Sequence, residues 1–281
     1  MNWVPLFFID AVCHQLNLHA FKQVSELSHS WSRFGAAHRE KRRELEFSCT
    51  VDGREGSYSL EHRRGAIIVG LLVADLNLEF DRIRFVCCSS VNQLTNRVSL
   101  EELNRDVFPI ISSLVSNCTW LRAYNPTFFE AFKNCPGFNK ITVHKQDQES
   151  HDFVTRQVRL GNVRSLNFYG TGKWPDAERL AETLKTFVSS PRFHQFYSSS
   201  SIPNDFELIE LFLKRALTGE LEQCALILLD NITLSKSQKI SGLRPECREA
   251  CKAIAWRIPN SNLQILQNYE QRFETLMMEV E

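Results

Sequence analysis

Short apolar segments recur along the chain, and helix signals lie between them. Each segment follows the pattern apolar-x-x-apolar-x-apolar, and Gly or Pro precedes several of them. Segments of this kind, bounded by turn residues, are typical of buried strands. The complete copies span Phe80–Phe85, Cys118–Ala123, Phe138–Val143, Val163–Phe168 and Leu221–Leu226, and an incomplete copy spans Phe193–Ser198.

Helix signals fill the intervals between these segments. Ser99 and Glu102 have the spacing of a capping box, and Pro175-Asp176 is typical of a helix start. Alternation of strands and helices predicts an α/β fold with parallel strands. Most successive copies start about 20 to 30 residues apart, near the length of a leucine-rich repeat. Two interpretations follow for residues 44–281: an irregular leucine-rich-repeat-like α/β solenoid and, as the alternative, a compact α/β domain.

Two short helices are predicted at the amino terminus. Pro5 can begin the first of them, since proline suits the first turn of a helix. Apolar residues then recur at spacings of three and four, which places them on one helical face. They are Ile9, Val12 and Leu16 in the first helix and Phe21, Val24, Leu27, Trp31 and Phe34 in the second, which ends near Gly35. A hairpin this small cannot bury both faces by itself, so part of its apolar surface must meet the rest of the chain or a partner.

These amino-terminal residues resemble the F-box, whose pattern begins with Leu-Pro, runs through an apolar helix to Leu and ends near apolar-Ser-x-x-Trp. This chain has Val4-Pro5, then Ile9, Val12 and Leu16, then Phe21, Val24, Leu27-Ser28 and Trp31. The order Val-Pro-x-x-Phe-Ile-Asp, followed by a Trp and a Lys-Arg-Arg segment, is similar to the F-box-like families expanded in nematodes. Phe7 departs from the pattern, which often has an acidic residue there, and the third helix of the module is expected to be short or replaced by His38–Arg43.

The resemblance implies docking to the linker subunit of an SCF ubiquitin ligase and, through it, to a cullin. Val24 and Trp31 would hold the hairpin together, and the docking face would consist of Val4, Pro5, Ile9, Val12 and Leu16. Residues 1–43 would form an F-box-like helical docking module, and residues 44–281 an α/β target-binding domain. The expected function is that of a non-catalytic adaptor, a substrate receptor that brings a target protein to the ligase. The alternative is a stand-alone protein-interaction scaffold in which the hairpin is only part of the fold.

Charge and cysteine usage bear on the class of protein. Lys plus Arg equals Asp plus Glu at 33 each, so no overall field attracts nucleic acid or an anionic membrane. Nine cysteines without a CxxC pair, in a chain without a basic leader, predict reduced thiols in a cytoplasmic or nuclear protein. The longest apolar run, Ala66–Ala74, is too short for a bilayer and predicts a buried strand or a short core helix.

The sequence contains no complete catalytic or cofactor motif. Gly170-Thr171-Gly172-Lys173 has the context of a phosphate loop but lacks the glycine at position 167 and the Ser or Thr after the lysine. No Gly-x-Ser-x-Gly, His-Glu-x-x-His or Gly-x-Gly-x-x-Gly occurs. Cys247 with Cys251, and His144 with His151, lack the further ligands of a zinc site. We therefore expect no enzyme activity, no metal and no cofactor.

Three further segments carry local predictions. Leu45–Val51 alternates with polar residues and predicts a strand with one buried face. The basic segment His38–Arg43 just before it, with Glu40 in its middle, indicates a solvated helix end rather than a nuclear localisation cluster. Near the carboxyl terminus, Ala253–Leu266 predicts a strand hairpin, and Tyr269–Glu281 predicts a closing helix.

Overall fold

The computed structural model is that of a mixed α/β protein with two compact units, residues 1–139 and 140–281. The predicted division after residue 43 lies inside the first unit and stays a prediction. The residues that the structure describes are 4–16, 20–27, 29–64, 67–89, 94–125, 128–135, 137–170, 174–199, 205–221, 225–228, 244–248, 253–257, 263–270 and 273–280.

Three helices begin the first unit: α1 (Leu6–Gln15), α2 (Ala20–Ser25) and α3 (His29–Lys41). The prediction of one helix from Phe21 to Phe34 is wrong, because the chain turns after α2. At that turn the N–H of Leu27 donates to the carbonyl of Val24 at 3.1 Å.

Gly35 lies inside α3 instead of ending a helix. A Cβ atom at this position would lie 2.9 Å from Cγ1 of Val24, so the absence of a side chain lets α3 approach α2 closely. The predicted helix end near Gly35 is wrong, because it rested on the general preference of glycine for helix ends. The same packing buries Ile9, Cys13, Phe21 and Val24 in one cluster, against which Val4, Leu16, Trp31 and Phe34 are partly buried.

The sheet of the first unit has the order β6–β4–β1–β2–β3, and β5 also pairs with β2. Its strands β1 and β2 are antiparallel, whereas β1 with β4 and β4 with β6 are parallel. The strand predicted at Leu45–Val51 is confirmed by β1. The strands are β1 (Glu44–Asp52), β2 (Glu55–Arg64), β3 (Ile67–Leu71), β4 (Arg82–Ser89), β5 (Asn96–Ser99) and β6 (Val115–Ala123).

The apolar run Ala66–Ala74 contains the edge strand β3 (Ile67–Leu71), and the prediction of a buried strand or short core helix is wrong. Ile67 is 66% exposed, and Ile68 and Val69 are exposed as well. The run lies at the end of the sheet order, paired with β2 on one side only. These residues form a strand although they are exposed, because β-branched side chains favour the extended backbone of a strand.

A helical segment after β5 covers this sheet. It comprises α4 (Leu100–Glu102), a π-helical stretch (Leu103–Val107) and α5 (Phe108–Leu114). The predicted capping box is confirmed: the N–H of Glu102 donates to Oγ of Ser99, and the N–H of Ser99 donates to a carboxylate oxygen of Glu102. The core beneath contains edge-to-face aromatic contacts that join Phe108 to Phe47, Phe128 and Phe132, and Phe132 to Phe138. Phe132 belongs to α6 (Phe129–Phe132).

Strands and helices alternate through the second unit. Here β7 with β8, β8 with β9 and β9 with β10 are parallel and adjacent in chain order, which confirms the predicted strand–helix alternation. Asp176 caps α8, as the Pro175-Asp176 signal predicts. The elements are β7 (Phe138–Val143, which spans the division between the units), α7 (Gln148–Leu160), β8 (Ser165–Phe168), α8 (Ala177–Ser189), β9 (Gln195–Ser198), α9 (Asp205–Leu217) and β10 (Ala225–Leu228).

Four antiparallel strands follow, and the last of them corrects a prediction. The hairpin predicted within Ala253–Leu266 is confirmed by the pairing of β12 with β13, but the closing helix over Tyr269–Glu281 is wrong. The strand found there pairs with β13 on one side and with β10 on the other. The backbone hydrogen bonds of these two pairings outweigh the helical spacing of its apolar residues. The strands are β11 (Arg244–Arg248), β12 (Ala253–Arg257), β13 (Leu263–Glu270) and β14 (Phe273–Val280).

We expect the second unit to lose stability as the pH falls below about 6.5. His151 in α7 is fully buried beside Trp174, and among the described residues neither of its ring nitrogens has a hydrogen-bond partner. Burial lowers the pKa of His151, and the charge of Arg179 lowers it further. The unfolded chain therefore binds a proton in this range that the folded chain does not, so the free energy of unfolding decreases until the pH passes below the folded-state pKa.

Urea unfolding at a series of pH values measures this slope. His151→Gln is expected to reduce the dependence of the unfolding free energy on pH. The control His194→Gln, at an exposed histidine, should leave that dependence unchanged. A slope that persists in full after His151→Gln would assign the acid sensitivity to other groups.

Candidate partner-docking site

An apolar surface lies at the start of α1. The side chains of Leu6, Phe7 and Phe8 are 57%, 78% and 49% exposed, although all three are large and apolar. We call these three residues the α1 apolar surface. Pro5 immediately precedes them and is exposed as well, and its carbonyl accepts the first helical hydrogen bonds, from the N–H groups of Phe8 and Ile9 at 3.0 and 3.2 Å.

Helix geometry explains why this surface points outward. Successive residues of a helix point about 100° apart, so a run of apolar residues cannot face the core together. Ile9 and Cys13 take the inward direction and are buried, which turns the preceding residues toward solvent. Leu6 and Phe7 were not predicted as surface residues, because the prediction rested on positions that recur at spacings of three and four. The uninterrupted run Leu6–Ile9 was the signal that could have found them.

The five residues predicted to dock do not form one exposed face. Pro5 is exposed, and Val4, Val12 and Leu16 are half-buried, with Val4 and Leu16 packed against the hairpin core. Ile9 is 1% exposed and lies within that core. The docking role of these residues stays a prediction, but in this arrangement Ile9 offers no surface to a partner.

Farther along α1, three polar side chains converge. The carboxylate of Asp10 bonds His14 Nε2 through Oδ2 at 3.0 Å and His38 Nε2 through Oδ1 at 3.1 Å. The two imidazole rings meet edge to face, with centroids 4.8 Å apart. Asp10 and His14 are one helical turn apart on α1, whereas His38 comes from α3, so the cluster depends on the packing of these two helices.

Burial controls the protonation of this region. Burial lowers the pKa of His38 and so favours the neutral ring. The hydrogen bond and charge of Asp10 act in the opposite direction but are outweighed. Burial also raises the pKa of the Cys13 thiol to about 11, an effect that the Asp10 charge reinforces. Cys13 therefore stays protonated at neutral pH and is a packing residue, since only a thiolate is nucleophilic.

The basic segment His38–Arg43 is only partly solvated, so the prediction of a solvated helix end needs correction. His38 is buried, and Arg42 is buried with its guanidinium donating to the carbonyl of Cys13 at 3.0 Å. Arg43 pairs with the buried Asp81, the Nε–Oδ1 distance being 2.7 Å. Half of the segment thus anchors α3 inside the first unit, because α1 and the turn before β4 supply acceptors that a sequence pattern does not reveal.

A second candidate surface lies on the sheet of the second unit. The rings of His144 and Tyr169, which directly follow β7 and β8, stack with centroids 5.1 Å apart, and Tyr169 lies 4.7 Å from the ring of Tyr197 in β9. We call these three residues the aromatic row. Burial and the neighbouring Tyr169 raise the pKa of Tyr197, so its hydroxyl stays protonated.

The opposite face of these strands is covered by helices. Phe168 and Phe196 alternate with the aromatic row along β8 and β9 and are fully buried, with ring centroids 5.5 Å apart. Phe187 of α8 meets Phe196 edge to face at 6.5 Å. The helices therefore occupy one side of this sheet, and the aromatic row is on the other.

The remaining chemical candidates from the sequence are the phosphate-loop segment and the histidine and cysteine pairs. Gly170 has a positive φ of 131°, while residues 171–173 of the phosphate-loop candidate lie outside the described residues, as does Cys251. His144 and His151 do not share a site, because His144 stacks on Tyr169 and His151 packs against Trp174.

Comparison with known proteins yields no match: no protein-family model, no curated protein and no solved structure aligns with the chain. Of the helices in the described part of the chain, none combines the length and the apolar character that a membrane crossing requires.

Proposed function

We propose that the protein is a non-catalytic adaptor whose amino-terminal helices dock on the linker subunit of an SCF-type cullin ubiquitin ligase. The observation that carries the proposal is the α1 apolar surface, an exposed Leu6-Phe7-Phe8 run directly after Pro5. Large apolar side chains are rarely exposed together without a binding role. Their position coincides with the Pro-led first helix of the F-box pattern, from which the docking role is inferred.

Within this proposal, the packing of the three helices defines which residues are available. Ile9, Cys13, Phe21 and Val24 close the interior of the bundle, so its inner face is already occupied by the chain itself. The partner would therefore meet the outer face of α1. Aromatic side chains that become fully desolvated usually dominate an interface, and Phe7 is the most exposed of the three.

The second unit would capture the target protein. Its strands β7 to β10 are parallel and pair in chain order, with a helix between each pair, and this connectivity supports the leucine-rich-repeat-like solenoid over a compact α/β domain. In repeat arrays of this kind the strand face opposite the helices is commonly the binding face, and here it has the aromatic row.

We expect Phe7→Asp to weaken binding of the full chain to a purified linker subunit by about 10- to 100-fold. Burying a phenylalanine contributes about 1.5–3 kcal/mol, and each 1.4 kcal/mol changes Kd about tenfold. Isothermal titration calorimetry measures the change. Ile67→Asp is the matched control, because Ile67 is 66% exposed on the edge strand β3 of the same unit and outside the predicted docking face. The Kd of this variant should equal that of the wild type.

Two outcomes would contradict the proposal. Wild-type protein that does not bind the linker subunit would favour the alternative of a stand-alone protein-interaction scaffold. Binding that survives Phe7→Asp would remove the α1 apolar surface from the docking role.

A further inference from the structure

We propose that Asp10, His14 and His38 form a binding site for one divalent transition-metal ion, with Zn²⁺ the best chemical match. Each of the three residues offers one ligand atom, and these three atoms all lie within 4.8 Å of one another. The Nε2 atom of His14 is 3.0 Å from Oδ2 of Asp10, and that of His38 is 3.1 Å from Oδ1. A tetrahedral ion with bonds of about 2.0–2.1 Å holds its ligand atoms about 3.3 Å apart, so small side-chain movements would admit it.

The ligand set selects the class of ion. Two imidazoles with one carboxylate suit zinc, copper, nickel and iron, whereas magnesium and calcium favour oxygen ligands alone. Three protein ligands also leave a coordination position for water, as in open zinc sites. Asp10 and His14 are partly exposed on α1, which provides a path from solvent to the site.

The site is held in place by packing. His38 is buried between aromatic rings, stacked on Phe21 at 5.4 Å and edge to face with Phe80 at 5.3 Å. Asp10 and His14 are fixed relative to each other by the helical repeat of α1. The ligand atoms are therefore largely positioned before an ion arrives, which reduces the entropy lost on binding.

The carboxylate of Asp10 gives the cluster a negative charge that attracts a cation, and this charge also acts on Arg82. Among the described residues the hydrogen bonds to Asp10 come from the two imidazoles and not from a lysine or arginine. The nearby Arg42 instead directs its guanidinium at the Cys13 carbonyl and the Phe21 ring. A divalent ion would replace the imidazole N–H protons as the positive partner of this carboxylate.

The affinity is expected to be moderate. In well-developed metal sites the second ring nitrogen of each histidine donates to an acceptor, and loss of such a partner weakens binding 10- to 100-fold. The Nδ1 atoms of His14 and His38 are buried and have no hydrogen-bond partner among the described residues. We therefore expect a Kd of about 1 μM, weaker than that of closed structural zinc sites.

The test is titration of the full chain, stripped with a chelator and kept reduced, with Zn²⁺ and with Co²⁺ as a spectroscopic substitute. We expect one ion per chain, a raised Tm and cobalt absorption bands of tetrahedral nitrogen and oxygen ligation. His14→Gln and Asp10→Asn should each raise Kd at least tenfold. His194→Gln, an exposed histidine in the second unit, is the matched control and should bind as the wild type does.

Circular dichroism of each variant shows whether the helices are intact, and His14→Gln is the safer variant because His14 is partly exposed. Absence of binding at 100-fold above the expected Kd would overturn the proposal. So would binding that is equal in wild type, His14→Gln and Asp10→Asn, or cobalt–thiolate charge-transfer bands, which would place the ion on the cysteines.

Discussion

Replacing Ile9 with aspartate is expected to destabilise the first unit by roughly 4 kcal/mol and to melt the packing of α1 against α2 and α3. Ile9 is 1% exposed and lies in the cluster with Cys13, Phe21 and Val24. Removing a buried isoleucine costs about 2–3 kcal/mol, and an unpaired carboxylate in its place costs more. Urea unfolding followed by far-ultraviolet circular dichroism measures the loss.

Phe7→Asp is the informative comparison, since it introduces the same charge two residues earlier on the same helix. Phe7 is 78% exposed, so its replacement is expected to leave the free energy of unfolding within about 0.5 kcal/mol of the wild type. The pair of variants separates the interior of the helical bundle from its docking face. If Ile9→Asp kept full stability and lost only linker binding, Ile9 would be a docking residue and not a core residue of the helical bundle.

The alternation of strands and helices was predictable where Gly or Pro marked the preceding turn. Phe138–Val143 follows Pro136-Gly137 and forms β7, and Val163–Phe168 follows Gly161 and contains β8 (Ser165–Phe168). Burial and strand propensity agree at both places, as in most consistently encoded elements. The Leu221–Leu226 copy located its strand less accurately, since β10 spans Ala225–Leu228.

The errors arose where tertiary contacts decide between two local solutions. The segment that became β14 has the apolar spacing of a helix, but it is a strand because β10 and β13 flank it. Gly35 has the residue type of a helix end, but it serves the contact with Val24. β10 is distant from β14 in the sequence, and Val24 lies in another helix than Gly35, so a pattern within one element could identify neither contact.

The candidate site was predictable in position and not in its exposed residues. Pro5 and the spacing after it located α1, but which face points outward depended on the burial of Ile9 and Cys13. The Asp10 and His14 pair is visible at helical spacing, whereas His38 joins it only through the packing of α3 on α1. The prediction of no metal rested on cysteine and histidine pairs close in sequence, which do not include His38.

Replacing Asp81 with alanine is expected to destabilise the first unit by about 3 kcal/mol. Asp81 is fully buried just before β4, and its carboxylate accepts two hydrogen bonds from Arg43, at 2.7 and 2.6 Å, and one from the N–H of Asn77 at 2.7 Å. Removing one partner of a buried ion pair typically costs about 3–5 kcal/mol, and the partial exposure of Arg43 places this pair at the lower end. Chemical denaturation measures the change.

Arg84→Ala provides the control, because the Arg84–Glu44 pair, 3.5 Å apart, lies at the surface and should contribute less than about 0.5 kcal/mol. The double variant Arg43→Ala with Asp81→Ala should lose less unfolding free energy than the sum of the two single variants. The reason is that each single variant leaves one charge unpaired, whereas the double variant removes both charges. Additive losses would mean that Asp81 stabilises the turn through Asn77 alone. In that case Arg43 would not be the link that ties the end of α3 to β4.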